Sequence, residues 1–162
     1  MDLPINGFSS RLKYNKVDKI VAISEIIKDI LIRGGVKKEK ITVIYSTVNC
    51  EDFSGKSNLR EELGLADDTL LLGTVASFFW RKGHRHLFGA MVKVKEKFPQ
   101  IKLLVVGKGP LEKDLKKLAK RLGLENEVIF LGFRKDIPEI LNILDVFVLA
   151  SLKEGLGVSL LE

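Results

Sequence analysis

Two glutamates and two glycines near the end of the sequence are the residues best suited to chemistry: Glu154-Gly155-Leu156-Gly157, followed by Val158-Ser159-Leu160-Leu161-Glu162. The preceding run, Val146 to Ala150, is apolar, too short for a helix and rich in β-branched and aromatic residues, which predicts a strand buried on both faces. Val158 to Glu162 reads as the first turn of a helix. A strand, a glycine loop and a helix in that order aim free backbone N–H groups and the positive end of the helix at whatever lies above the sheet, and glycines let it approach the main chain. A phosphate suits such a place. Carboxylates repel phosphate but form charge-assisted hydrogen bonds with neutral hydroxyls, so Glu154 and Glu162, eight positions apart, suit the hydroxyls of a sugar.

Three other short stretches carry usable groups. In Ser77-Phe78-Phe79-Trp80-Arg81-Lys82-Gly83-His84 two adjacent cations precede a helix start, a combination that would stabilise charge developing on a departing diphosphate. A solvated loop is the plainer reading of Arg81 and Lys82. Here Phe79 and Trp80 roof the loop, and His84 opens a helix rather than acting as a catalyst. Gly107-Lys108-Gly109-Pro110 is a G-x-G turn, but Glu112 leaves the six-residue dinucleotide fingerprint incomplete. A tight turn with Pro110 as first helical residue accounts for it equally. Gly132-Phe133-Arg134-Lys135-Asp136 leads into Asp136-Ile137-Pro138-Glu139, which has the form of a capping box with proline in the first turn.

These groups need a scaffold, and the hydrophobic pattern supplies one. Strands are predicted at Leu70 to Ala76, Lys102 to Val106, Val128 to Leu131 and Val146 to Ala150. Helices are predicted from about Arg85 to Phe98, Leu111 to Leu122 with Gly123 beyond it, and Ile137 to Leu144. Strands alternating with helices of this length require a parallel sheet with helices on both faces, so the fold class is α/β with a doubly wound, Rossmann-like sheet. Ligands in such sheets sit beyond the carboxyl ends of the strands, where all four chemistry-bearing stretches fall. Upstream, Ile20 to Ile23 reads as a strand. Ser24 would cap a helix with Ile26, Ile27, Ile30 and Leu31 on one side, ended by Gly34-Gly35, and Ile41 to Tyr45 is another strand. The turn-like Ser54 to Asn58 is the best domain boundary, with Ser57 capping a short helix ended by Gly64. Residues 1–53 are therefore separated from 54–162.

With these motifs in place, the chain resembles the retaining nucleotide-sugar glycosyltransferases of the GT-B fold, in particular glycosyltransferase family 4. Glu154-Gly155-Leu156-Gly157 ending in Glu162 is similar to the E-x7-E signature of that family; Gly107-Lys108-Gly109-Pro110 resembles its G-x-G-P, Gly132-Phe133-Arg134-Lys135-Asp136 its G-F-R-x-D, and Val21 to Glu25 its V-A-V-S-E. Tyr45 to Asn49 departs from the family's I-P-N-G-V-D, with Thr47 where glycine is expected. The resemblance implies that Glu162 accepts hydrogen bonds from ribose hydroxyls, that Glu154 meets the donor sugar, and that amides around Gly157 and Val158 meet the diphosphate. It also implies that Gly107 lies near the nucleotide, that the backbone at Phe133 and Arg134 faces the base, and that Lys82 grips the diphosphate. Ser77 occupies the position of a second diphosphate-binding cation, an arginine in the family, which leaves that charge missing unless Arg81 turns inward. The implied activity is sugar transfer with retention and without an obligatory metal or other cofactor, from a nucleotide diphosphate sugar to a carbohydrate or lipid-linked acceptor. Lys82 and Glu154 would be the catalytic residues. Because the family has two lobes of similar size, the chain is expected to be a truncated piece: the end of the first lobe and part of the second, with little activity alone.

Composition agrees with a globular protein. At 162 residues, with 46% hydrophobic and 30% charged residues, a sizeable core is available. No apolar run approaches the roughly 20 residues that span a bilayer, and neither a secretory pattern nor a Cys/His cluster is present. The single Cys50 agrees with a cytoplasmic setting. The net charge of +6 comes from lysines scattered over helices, which reads first as solvated faces and second as attraction to the anionic inner face of a membrane. No nucleic-acid motif is present. The apolar last strand should need cover on its outer edge from a second subunit, from residues 20 to 45, or from further chain. An alternative function is a catalytically silent nucleotide-binding or interaction module, which Ser77 favours.

Overall fold

The computed structural model describes residues 14, 16–53, 57–154 and 157–161. It divides into two compact units, Met1–Val48 with Lys153–Val158, and Asn49–Leu152 with Ser159–Glu162.

In the first unit, β1 (Ile20–Ala22) and β2 (Ile41–Val43) pair in parallel across α1 (Glu25–Arg33). The Ser24 hydroxyl accepts a hydrogen bond from the Ile27 amide at 3.3 Å, satisfying a donor that the first helical turn leaves open. Ile27 and Leu31, one turn apart, pack with Ala22, Val36 and Ile41. Ile26 was expected on that side but is 64% exposed, because a step of about 100° per residue carries it off the Ile27–Leu31 stripe.

The second unit is built on a parallel sheet of order β5-β4-β3-β6, from β3 (Leu71–Val75), β4 (Lys102–Val106), β5 (Val128–Gly132) and β6 (Val146–Phe147). Its helices are α2 (Leu59–Glu62), α3 (His84–Lys97), α4 (Glu112–Arg121) and α5 (Ile137–Asn142). Side chains of β4 alternate between two cores. Leu103 and Val105 pack with Phe88 and Met91 of α3 and Leu115 of α4, whereas Leu104 and Val106 pack with Leu59 of α2 and Ile140 of α5. Each such large side chain taken out of water contributes about 1.5–3 kcal/mol. With helices on both faces the sheet is doubly wound. Its order reverses between β3 and β6, the switch point where such sheets place their ligands.

A partly exposed clamp ties the amino ends of the two strands at that switch point. Arg60 of α2 donates to the carbonyls of Ile143 (3.2 Å) and Thr69 (3.1 Å) and to Asp145 Oδ2 (2.9 Å), and the same carboxylate oxygen accepts from the Leu71 amide at 2.7 Å. The starts of β3 and β6 are thereby tied through one guanidinium and one carboxylate.

Several sequence expectations are corrected. The last strand comprises Val146–Phe147 alone, and Val146 is 52% exposed rather than buried on both faces, because β6 is an edge strand with β3 as its one neighbour among the described residues. Residues 20 to 45 form a separate β1-β2 sheet and add no strand to this one. Asp136 precedes α5 without capping it, since its carboxylate is taken by Arg134 in a two-point charge-assisted pair. Pro110 lies in the turn before α4, whose first residue is Glu112. Ser57 accepts from the Leu59 amide at 3.2 Å, although Asn58 is the residue flanking α2.

Candidate functional site

At the carboxyl rim the chain leaves β3, β4 and β5 in three turns that are locked together. The Ala76 amide donates to Val106 O (3.0 Å), the Phe78 amide to Lys108 O (3.0 Å), and the Gly107 amide to Gly132 O (2.7 Å). Gly107 adopts a φ of 139°, and a Cβ there would stand 2.1 Å from the Ala76 carbonyl oxygen. Only glycine lets the β4 turn press this closely against the end of β3.

Between the turns lies an open cleft of about 400 Å³. Its walls are Val75, Ala76 and Ser77 from β3, Val106, Gly107 and Lys108 from β4, and Phe133, Arg134 and Ile137 beyond β5. The floor is apolar, and hydroxyl, ammonium and guanidinium groups stand at the margin. A flat, weakly polar ring carrying an anionic tail is the kind of guest that such a lining accepts. Phe133, 62% exposed, offers a ring face with the Lys108 ammonium 4.8 Å from its centroid. The Arg134 side chain is engaged within the protein: its Nε and Nη2 both donate to the Asp136 carboxylate, raising the Arg134 pKa and lowering that of Asp136.

Four predicted site residues, Ser77, Gly107, Phe133 and Arg134, are thus brought to one cleft from turns spread over some 57 positions of sequence. Arg81 and Lys82 are on the next loop, a short 3-10 turn at Trp80–Lys82. Arg81 is exposed and rests over the Phe79 ring, 5.3 Å from its centroid, so it does not turn into the cleft to replace the charge missing at Ser77. Lys82 is half-buried. The loop is held to the chain following β6, where the Leu152 amide donates to Arg81 O at 2.7 Å and Gly83 abuts Ala150. Phe79 and Trp80 are exposed.

His84 opens α3, as expected, but is 3% exposed, with neither ring nitrogen hydrogen-bonded among the described residues. Its ring meets Phe78 edge-on at 5.2 Å. Burial, aided by the Lys82 charge, pushes its pKa down to about 4, so the imidazole is neutral at pH 7.

Glu154, Gly157 and Val158 fall in the unit containing Met1–Val48. Glu154 and Gly157 are half-buried, and Val158 begins a 3-10 turn, Val158–Leu160, where a helix was predicted. Gly155 and Glu162 lie outside the described residues. Sequence reasoning missed Lys108, Val75 and Ile137. Lys108 was within reach of the strand-end rule, being the residue after Gly107.

A larger groove of about 670 Å³ is lined by Arg85, Asp114, Lys117, Lys120 and Arg121. It contains none of the predicted site residues and is a charged helix surface, in keeping with solvated lysines. Among the described residues no group of three His, Cys, Asp or Glu side chains could hold a metal ion, and no helix is long and apolar enough to cross a membrane.

Known proteins bear on this geometry. The sequence profile of the family described as glycosyl transferases group 1 matches residues 55–162. The chain is 36% identical over 135 residues to EpsD of Bacillus subtilis (strain 168), covering 80% of this chain and 35% of that protein. It is 33% identical over 152 residues to the UDP-Gal:alpha-D-GlcNAc-diphosphoundecaprenol alpha-1,3-galactosyltransferase of Escherichia coli, covering 90% and 37%. Among solved structures, Alr3699/HepE of Anabaena in complex with UDP and glucose superposes with a TM-score of 0.82 at 28% identity, covering 93% of this chain and 43% of that one. The chain spans about a third of the length of the two relatives.

Proposed function

Since the chain belongs to the group 1 glycosyl transferases, we propose that it binds the nucleoside diphosphate part of a sugar donor at the carboxyl rim of its parallel sheet, and that the intact enzyme is a retaining glycosyltransferase of family 4. The observation that carries this reading is the cleft uniting Ser77, Gly107, Phe133 and Arg134. In it the base lies over the apolar floor near the backbone of Phe133 and Arg134. The diphosphate is assigned to Lys82, and the family resemblance assigns it the amides around Gly157 and Val158 as well. Glu162 accepts from the ribose hydroxyls and Glu154 from the donor sugar.

During transfer the bond between the anomeric carbon and the diphosphate oxygen breaks, a bond from that carbon to an acceptor hydroxyl oxygen forms, and the hydroxyl proton passes to solvent water. The diphosphate leaves with added negative charge. Lys82 and the loop amides stabilise that charge more in the transition state than in the bound donor, which accelerates the reaction without an obligatory metal. Uridine diphosphate is the nucleotide to test first, because the Anabaena protein was crystallised with UDP and the Escherichia coli relative is named for UDP-Gal. The acceptor by the same similarity is lipid-linked, which fits a cytoplasmic protein with a charge of +6 working at an anionic membrane face. The outer edge of β6 is the route by which two copies would pair.

The test is thermal unfolding of the 162-residue chain with UDP, GDP and ADP. A nucleotide at 100 times its Kd stabilises the folded form by about 2.7 kcal/mol, which raises Tm by roughly 5–10 °C for a chain of this size. No shift with any of the three defeats the donor-site reading. Ser77 favours a second reading, a nucleotide-binding module without catalysis, and sugar transfer by the full-length enzyme would defeat that one.

A further inference from the structure

We propose that Lys108 is a binding residue for the donor diphosphate and supplies the charge that Ser77 does not; this rests on the donor-site reading above. The cleft wall contains Ser77, Lys108 and Arg134 as its polar side chains. Ser77 has no charge, and the Arg134 guanidinium is already engaged by Asp136 through two of its nitrogens. Arg81, on the neighbouring loop, is directed onto the Phe79 ring. Among the described residues Lys108 pairs with no carboxylate; its recorded side-chain contact is the Phe133 face, 4.8 Å away. It is exposed, so its charge is not already consumed by an internal partner.

Its position is fixed by the backbone rather than by its own flexible stem. The Lys108 carbonyl accepts from the Phe78 amide at 3.0 Å, which pins it beside the residue after Ser77. Gly107 brings the two turns into direct contact. A side chain rooted there reaches the cleft margin from the β4 side while Ser77 borders it from the β3 side. An ammonium group lying on an exposed ring is held weakly and is readily exchanged for a phosphate oxygen, with which it forms a charge-assisted hydrogen bond. Lys108 is therefore a cation parked over an aromatic ring when the anion is absent and drawn to the diphosphate when it is present.

Calorimetric titration of the 162-residue chain with UDP and with uridine separates charge from shape. Lys108→Met keeps the stem and removes the charge. It should weaken UDP about tenfold or more, as loss of a hydrogen bond to a charged group does, while leaving uridine binding unchanged. Raising the salt concentration should weaken UDP binding less in K108M than in the parent. Adding Ser77→Arg to K108M should restore most of the lost affinity. Equal UDP affinity in K108M and the parent overturns the proposal, as does a parallel loss of UDP and uridine, which would mark a role in cleft shape. A double variant no better than K108M overturns the exchange of charge between positions 77 and 108. If the parent binds neither UDP nor uridine, the donor-site reading falls first and takes this proposal with it, a result distinct from the others. Melting curves of the free variants matching the parent within about 1 °C establish that the fold is intact.

Discussion

Replacing Gly83 with alanine tests whether the loop bearing Lys82 is held by main-chain contact with the chain after β6. Gly83 has a φ of 71°, a left-handed conformation in which a Cβ costs roughly 1–2 kcal/mol. In addition, that Cβ would stand 1.8 Å from the Ala150 carbonyl oxygen and 2.8 Å from its carbon. Both are backbone atoms, so no rotamer change relieves the overlap. Because an ordinary carbon-to-oxygen contact is about 3.3 Å, the two segments must part by roughly 1.5 Å. Forced displacement of packed backbone costs about 1–3 kcal/mol, giving about 2–5 kcal/mol in total. For a chain of this size the melting temperature should fall by roughly 5–15 °C. Gly64 provides the control, since its φ is 63° but an added Cβ meets nothing within 4 Å. Gly64→Ala bears the backbone cost alone. Urea unfolding followed by far-UV circular dichroism should therefore place G83A about 1–3 kcal/mol below G64A. Equal destabilisation of the two variants, within about 0.5 kcal/mol, would refute the contact and with it the anchoring of the Lys82 loop.

Two further outcomes follow from the packing. His84 has a folded pKa of about 4 against an ordinary 6.5, so the unfolded chain takes up a proton on acidification that the folded chain refuses. The stabilisation is complete above pH 6.5, declines as pH falls toward 4, and is level below that; the separation corresponds to roughly 3 kcal/mol. Subtracting the urea stability of His84→Leu from that of the parent should expose this decline between pH 7.5 and 4.5, and a flat difference would refute it. Arg60→Ala removes three donors at once and leaves Asp145, Thr69 O and Ile143 O to find other partners. It should cost about 2–3 kcal/mol, with Arg60→Lys recovering little because an ammonium lacks the guanidinium fork. A urea midpoint for R60A equal to the parent's would show that the clamp contributes nothing.

The sheet was legible because its central strands satisfy one requirement throughout. β4 was expected at Lys102 to Val106 and occurs there, and β3 and β5 lie within one residue of expectation at each end. Leu103-Leu104-Val105-Val106 is apolar at consecutive positions because helices cover both faces, and a periodicity argument detects that. β6 was misjudged for the same reason. Its sequence is apolar enough for a central strand, but apolarity reports what a segment can bury, not what stands beside it. Ser24 and Gly34 marked the ends of α1 correctly because their effects are local to one turn. The capping box at Asp136 failed because a cation two residues upstream competes for the same carboxylate.

The same distinction separates the location of the candidate site from its charge. Location follows from topology: parallel strands end on one rim, so residues just after Val75, Val106 and Gly132 must come together even though they are remote in sequence. Charge does not follow from counting cations near that rim, because each cation first finds its partner inside the protein. Arg134 is claimed by Asp136, and Arg81, the cation that could have replaced the charge missing at Ser77, rests on Phe79. Lys108, overlooked because G-x-G patterns direct attention to the glycines, lines the cleft without a carboxylate partner among the described residues. The charge available to a ligand is the number of cations facing it less those with internal partners. That subtraction moves the additional anion contact from Arg81 to the residue between the two glycines.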